Sequence, residues 1–528
     1  MNTSAESRYN SLESERQPFI DRARESSKLT LPYVMPEEGH NSHSRLYTPF
    51  QGIGARGVNN LASKLLLALL APNAPFFRLN FDEPKLRAEG ATQEIITEME
   101  SSLQRVEDAV MEEISRQSYR VGVHEALKNL IITGNSLLYI PPEGGLRVFH
   151  LDRYVVSRDP MGNPVKIITR ETLSYNTLTE ELREAAGSLE GETTGKNCDL
   201  FTCVELVDGK WQIHQEIKGN VVQSSIGSFP KEKLPYIPLR FSKIDGEDYG
   251  RGYVEEYLGD LISLETLTQA IVEGSAAAAK VLFLVNPNGT TRAKTLAESP
   301  NGAITQGNAQ DVSVLQLDKF NDFRIAADTA NTIKERLGQA FLLTSGQVRN
   351  AERVTAEEIR MLTQELESAL GGLYSLLSHE LQLPMVHRVM DLMVDDKRLP
   401  KLPKDLVKPV IITGVEALGR GNDLQKLDMF LAGAAQVVGP QAIAQYVNIE
   451  EYFKRRATSL GIKTVGLIKT QEEMQQEAQQ SQMMSMAEKA APQGAAAMGK
   501  MMQTAMAPEA EAPEGEQPQQ PQQPQQPA

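Results

Sequence analysis

Cysteine is nearly absent. Two residues, Cys198 and Cys203, in a chain of 528 exclude a disulfide framework and fit a reducing compartment. Long apolar runs are also missing. The longest aliphatic run covers residues 65–71, far short of the ~20 residues that span a bilayer, so no membrane segment is expected. Residues 1–9 are polar with no apolar signal core, so secretion is not expected. Positive charge is outweighed: 54 Lys and Arg stand against 69 Asp and Glu, for a formal net charge of −15. That balance argues against a protein that coats nucleic acid by neutralising phosphates. It still allows a surface past which nucleic acid slides without sticking, and it aids solubility. Neither Gly-x-x-x-x-Gly-Lys-Ser/Thr nor Gly-x-Ser-x-Gly occurs, and no nucleophile–base arrangement is visible.

Three weaker signals have ordinary explanations. Gly52-Ile-Gly-Ala-Arg-Gly57 matches the dinucleotide fingerprint in letters. It follows a poor strand containing Pro49, has no parallel βαβ context and lacks the acid about twenty residues on. A loop entering a helix is the simpler reading. His40 and His43 lack cysteine or carboxylate partners, so no metal site is expected. Cys198 and Cys203 read as thiols within strand-like sequence. No cofactor is expected.

The length allows two to four domains, and 41% hydrophobic residues suffice for a sizeable core. Residues 4–28 read as a polar helix that docks elsewhere. Residues 58–70 read as a helix buried through Leu61, Leu65, Leu66, Leu69 and Leu70, stopped by Pro72 and Pro75. Residues 95–119 are amphipathic, with Ile96, Met99, Leu103, Val106, Val110 and Ile114 on one side and Glu107, Glu112 and Glu113 largely off it. A helix over 123–133 ends at Gly134. From 136 to 222 the period becomes two. Strands are expected at 137–140, 147–150, 154–158, 165–172, 203–207 and 211–217, with turns at 159–163 and Asp208-Gly209 and a short helix over 178–189. Pro230, Pro235 and Pro238 mark the end of this β-rich part.

The rest of the chain is organised around residues 251–394. A helix over 252–279 carries the stripe Val254, Leu258, Leu261, Leu264, Leu267 and Ile271. Between Gly252 and Gly274 it also carries Glu255, Glu256, Asp260, Glu265 and Glu273 with no Lys or Arg. A β-type insert spans 281–317, with strands at 281–285, 302–305 and 312–317 and a basic stretch holding Arg292 and Lys294. A second helix returns over 321–343. Two helices around a small insert make a stalk with a tip. A polar loop, Thr344 to Arg353, leads into a long helix opened by the capping box Thr355 and Glu358, with candidate kinks at Gly371-Gly372 and Pro384. A proline-rich linker (399–409) precedes a helical segment (423–460) ending in Lys454, Arg455 and Arg456. Beyond residue 470 the chain is rich in Gln, Met and Pro and is expected to be disordered. The expected class is α+β, mostly helical.

Several long strings are similar to those of the portal proteins, or head-to-tail connectors, of short-tailed double-stranded DNA bacteriophages. They are Tyr249-Gly-Arg-Gly-Tyr253, Arg353-Val-Thr-Ala-Glu-Glu-Ile-Arg360, Leu370-Gly-Gly-Leu-Tyr-Ser-Leu-Leu-Ser-His-Glu-Leu-Gln-Leu-Pro384 and Thr413-Gly-Val-Glu-Ala-Leu-Gly-Arg-Gly421. The resemblance implies a portal fold: a wing over 1–250, stem helices over 251–279 and 321–343 and a clip over 280–320. It also implies a tunnel loop over 344–354, a long kinked wing helix over 355–398, a linker and crown over 399–470 and a tail over 471–528. It implies a homo-dodecameric ring at one capsid vertex, in the host cytoplasm during assembly and then in the virion. Its implied partners are the terminase large subunit, a tail adaptor protein, the major capsid and scaffolding proteins, and duplex DNA passing without sequence specificity. It places Gln347, Arg349, Asn350 and Arg353 near DNA, Glu255, Glu256, Asp260 and Glu265 on an acidic stem, and Arg292 and Lys294 at the partner-docking clip. The competing expectations are a ring-forming adaptor without a DNA channel and a nucleotide-dependent enzyme using Gly52–Gly57.

Overall fold

The computed structural model describes residues 4–343 apart from 42, 72–75, 82, 89, 91, 188–196, 279–281 and 316–319. It also describes 361, 364–366, 368–400, 407–411, 419–439, 447, 452, 453 and 456. Two compact units result, residues 1–419 and 420–528.

The first unit mixes helix and sheet, with every described sheet antiparallel. Helix α1 (Ala5–Lys28) is capped by the Ser4 hydroxyl, which accepts from the Ser7 N–H at 3.3 Å. Polar as it is, it docks on one side. Tyr9, Ile20 and Ala23 are buried, and so is Arg16. The Arg16 guanidinium donates to the carbonyls of Leu151 (2.9 Å) and Tyr154, and to the Tyr9 hydroxyl. A buried arginine therefore anchors the helix beside its few apolar contacts, because its charged donors are matched by carbonyls.

Helix α2 (Ile53–Leu69) starts five residues before the expected one and takes in the fingerprint glycines. They serve packing. A Cβ on Gly54 would lie 2.4 Å from the Leu29 carbonyl oxygen, and one on Gly57 would lie 2.6 Å from the Phe341 ring. Strand β1 (Phe77–Phe81), the short α3 (Glu83–Ala88), α4 (Gln93–Arg116) and α5 (Tyr119–Thr133) follow. Gly134 caps α5 in the left-handed region at φ 76°.

On α4 the expected apolar side is buried, but Glu107 and Glu113 are buried with it. Glu107 accepts from the Leu79 N–H at 2.8 Å. Glu113 accepts from Arg398 (2.6 Å), Arg116 (2.7 Å) and Gln117 (3.0 Å). Arg398, then Arg116, hold the Glu113 carboxyl well below the usual carboxylate range. A group with a depressed folded pKa stabilises above its unfolded value of ~4.3, and the gain is lost as pH falls through the folded value. Arg398→Met is therefore expected to lower stability by about 1 kcal/mol at pH 7. Its difference from the parent should begin to shrink below pH ~4.3. Urea titrations at pH 7 and pH 3 check both.

Strands β2 (Asn135–Tyr139), β3 (Arg147–Phe149) and β9 (Tyr236–Arg240) form a three-stranded sheet in the order β3-β2-β9. Strands β4 (Tyr154–Arg158), β5 (Pro164–Ser174), β6 (Asn197–Val207), β7 (Lys210–Ile217) and β8 (Asn220–Pro230) form a five-stranded meander. The expected Asp208-Gly209 turn has positive φ at both residues, as a type I′ hairpin requires. Lys218-Gly219 repeats this and brings in β8, which runs on past the expected period-two stretch of 136–222. Short α6 (Glu180–Ala186) covers one end. Cys198 and Cys203 are buried on β6, where burial pushes the Cys203 thiol up to about 12. Pro238 sits inside β9 rather than ending the sheet. As an edge strand, β9 tolerates the missing N–H. The proline-rich linker likewise supplies β12 (Val407–Ile411), antiparallel to β1.

The expected long helix is broken near its kink. A helix over Leu373–Leu377 passes into a π turn over Ser378–Gln382 and then a helix over Leu383–Asp395. Side chains in and just before the turn are joints. Tyr374 and Gln382 donate to the Ala68 and Leu69 carbonyls at the end of α2, at 3.0 and 2.7 Å. Those carbonyls have no intrahelical partner, so the side chains act as a C-cap.

In the second unit a helix covers Gly419–Val438. Asp428 accepts from the Tyr452 hydroxyl at 2.6 Å and pairs with Arg456 at 3.2 Å. One member of the basic cluster is thus an internal ion pair. Lys454 and Arg455 lie outside the described residues, as do residues 457–528.

Candidate functional site: a helix pair with an exposed tip

The chain leaves the three-stranded sheet through Tyr249–Tyr253, where it crosses the end of α5. Asn135, fully buried, holds this crossing. Its amide donates to the Gly250 carbonyl and its oxygen accepts the Gly250 N–H, both at 2.8 Å. A Cβ on Gly252 would lie 2.4 Å from the Ile132 carbonyl oxygen, and one on Gly134 would lie 2.4 Å from the Arg251 carbonyl carbon. The two backbones touch, so only glycine fits on either side.

Beyond the crossing lie α7 (Tyr253–Glu256) and α8 (Leu258–Ala278), two helices where one was expected. Helix α10 (Phe320–Ala340) returns alongside α8. Their lower halves join the main core through Val254, Leu261 and Leu264, and through Ala330, Ile333, Leu337 and Phe341. Tyr253, Tyr257 and Phe341 form an aromatic cluster at the base, with ring centroids 5.1–5.9 Å apart. Further out nothing is buried. Residues 266–278 of α8, 322–329 of α10 and every described side chain of the tip are exposed or partly so. Gly274 lets the pair close up, since its Cβ would meet the Phe323 ring at 2.4 Å.

The tip consists of β10 (Leu282–Val285), α9 (Ala293–Glu298) and β11 (Val312–Leu315). The strands pair antiparallel, while the strand expected at 302–305 is irregular and α9 falls on the basic stretch. Asp311 pins the turn after β10, accepting from the N–H groups of Thr290 (2.7 Å) and Thr291 (3.1 Å). The Thr291 N–H, helped by Thr290, holds its carboxyl below the usual range. Phe283 (61% exposed) and Leu284 (52%) project from β10. Arg292 is exposed at the start of α9, and Lys294 reaches Glu298 at 4.0 Å.

The expected acidic face divides. Glu256 is exposed. Glu255 pairs with Arg22 (3.2 Å) and Arg251 (3.8 Å), and Asp260 with Arg336 across the helix pair at 2.6 Å. Glu265 is no part of an exposed face. It is 6% exposed and accepts from the Tyr47 hydroxyl (2.7 Å), the Phe50 N–H (2.8 Å) and the Gln51 N–H (3.1 Å). This bond to Glu265, then burial, pushes the Tyr47 hydroxyl up to about 12. Glu265 therefore ties α8 to the segment before α2. Its spacing carried the signal, because four residues after Leu261 is the apolar side. Gln347, Arg349, Asn350 and Arg353 lie outside the described residues, as do the strings 353–360 and 413–418.

An antiparallel body thus sends out a helix pair whose tip buries no described side chain. The chain belongs to the bacteriophage head to tail connecting protein family, which it matches over residues 2–468. It is 41% identical over 517 residues to the portal protein of Escherichia phage T7, covering 96% of each chain. It is 39% identical to the portal protein of Enterobacteria phage T3, over 94% of each. With the portal protein of Enterobacteria phage SP6 it shares 32%, over 88% of this chain and 90% of the relative. These relatives are structural connectors, and this chain is not an enzyme. A chain from the virion of a native gene transfer agent particle is similar over 78% of this chain at a TM-score of 0.36 and 10% identity, too weakly to carry any argument.

Proposed function

We propose that the chain forms a homo-dodecameric ring at one capsid vertex and serves as the conduit for packaging and ejecting duplex DNA. Family membership supports this, and the observation that carries it is the helix pair with its tip. A two-stranded sheet bearing Phe283 and Leu284 is marginal alone. Ile262, Val272 and Ile325 stand on outer faces of the helices. Such surfaces call for neighbours, and copies of the chain around an axis would supply them.

In this reading residues 1–250 and 355–398 form the wing, α8 and α10 the stem, 280–320 the clip, 344–354 the tunnel loop and 399–470 the crown. Glu256 at the end of α7 and Glu273 on α8, exposed on two helices without basic residues, would repel phosphate and reduce sticking. Arg292 and Lys294 on the clip would meet the terminase large subunit and later the tail adaptor. Capsid and scaffolding proteins would surround the wing during assembly in the host cytoplasm. Arg349 and Arg353 would touch the DNA backbone without reading sequence. The double variant Arg349→Ala, Arg353→Ala is expected to lower packaged DNA roughly tenfold, because two phosphate contacts vanish in every subunit. Nuclease-protected DNA per particle is the readout. Parent-level packaging and retention would remove those arginines from the channel.

A further inference from the structure

Helices α2 and α5 run antiparallel and share a basic face. Arg56 and Ser63 stand two turns apart on one side of α2. Arg120, His124 and Lys128 follow every four residues along α5, at steps of about 6 Å. The Arg120 guanidinium donates to the Leu70 carbonyl, and His124 Nε2 lies 3.4 Å from the Ser63 hydroxyl, so the two rows lie side by side. Among the described residues no carboxylate meets Arg56, Arg120 or Lys128. Burial pushes Arg120 and His124 down, and Lys128 pushes His124 further. Like charges gathered without an acid are destabilising. They are kept here in a chain whose 69 Asp and Glu outnumber its 54 Lys and Arg. A face that bears that cost is one that meets an anion from outside.

Two anions qualify, the phosphates of DNA and the acids of another copy of the chain. The structure favours the second. Val121, 72% exposed, stands beside the α5 row, and an apolar side chain is buried by a protein surface and not by phosphates. A matching surface is also present. Asp108 and Glu112, both exposed on α4, stand four residues apart, the same step of about 6 Å, and meet no cation among the described residues. Neither is among the charges acting on Arg120 or His124, so the acids and the bases lie apart on one chain. A closed ring of identical copies needs two such unlike, complementary faces.

We infer that the basic face of α2 and α5 receives the Asp108–Glu112 ridge of a second copy, so that each chain offers one sign of charge to one neighbour and the other sign to the next. The inference deepens the proposed ring and rests on it.

The test is charge exchange, read by electron microscopy as the fraction of full-length chain in closed rings. Arg56→Glu, Lys128→Glu lowers that fraction roughly tenfold, and so does Asp108→Lys, Glu112→Lys, since each sets like charges face to face. All four substitutions in one chain restore rings. So does an equimolar mixture of the two double variants, which then alternate around the ring. Circular dichroism checks that each variant is folded. Where one is not, Arg56→Gln, Lys128→Gln or Asp108→Asn, Glu112→Gln takes its place and lowers the ring fraction in the same direction. Parent-level rings in both double variants overturn the inference and leave the ring reading intact. Loss in both with no recovery in the combined chain or the mixture also overturns it. Intact rings with weaker binding of a short DNA duplex overturn it too, and assign the face to phosphate. A parent that forms no rings even with a scaffolding partner overturns the ring and the inference together.

Discussion

Gly134→Ala is expected to cost more than ~4 kcal/mol and to leave little soluble protein, although a single methyl group is added. Gly134 sits at φ 76°, and its Cβ would lie 2.4 Å from the Arg251 carbonyl carbon, 2.6 Å from the Gly250 oxygen and 2.6 Å from the Gly252 nitrogen. Backbone cannot rotate away as a side chain can. The two segments would have to part, breaking the Asn135–Gly250 pair and the Phe241 N–H bond to the Gly134 carbonyl at 2.9 Å. Gly145→Ala is the control. Its φ is 86°, with nothing within 4 Å of the added Cβ, so it bears only the left-handed strain of about 1 kcal/mol. Soluble yield and thermal midpoint of the two variants separate collision from strain. Equal behaviour would mean that the crossing is not packed as described.

The second large effect is at Glu380. This carboxylate, in the π turn, accepts from the Arg240 guanidinium at 2.6 Å and from the Arg240 N–H at 3.1 Å. Arg240 is buried, and beside it Arg158 is pushed down to about 10 by its own burial and then by the charge of Arg240. Two guanidiniums thus share one buried corner. The Arg158 guanidinium donates to the carbonyls of Asp248, Gly162 and Pro238, while the Asp248 carboxylate accepts the Arg158 backbone N–H. For Arg240 the charged partner is Glu380. Glu380→Gln is expected to destabilise by about 3–5 kcal/mol, the cost of leaving a buried charge unpaired. The double variant Arg240→Met, Glu380→Leu should recover most of that loss, because both charges go together. Urea unfolding of the single and double variants measures it. A single variant within ~0.5 kcal/mol of the parent would contradict the pairing.

Each joint has one side in a string that carried the family resemblance, residues 249–253 against Gly134 and Glu380 against Arg240, yet neither could be derived from sequence pattern. Periodicity shows which side of a helix is apolar. It does not show where two backbones touch or which charge is buried. The helix pair and insert were legible because the period changes there, and the stripe from Val254 to Ile271 packs largely as expected. Helix α1 was harder, since its buried Arg16 reads as a surface charge while only a few apolar residues such as Ile20 and Ala23 mark its packed side. Strands β9 and β12 were missed because Pro238 and Pro409 read as boundaries, although each lies on a strand at a sheet edge. Glu265, Glu107 and Glu113 were grouped with solvated acids, because an acid count ignores the backbone N–H groups and arginines that bury them. Residues 344–360 lie outside the described residues, so their assignment rests on the resemblance to the family.

The most direct test of the central claim is electron microscopy of the purified protein, averaged down the ring axis. The account predicts closed rings, with the helix pairs side by side around an open centre. That opening must exceed a DNA duplex, roughly 20 Å across given a major groove about 12 Å wide and its flanking backbones. Monomers that persist when a scaffolding partner is added, or rings with a blocked lumen, would contradict it.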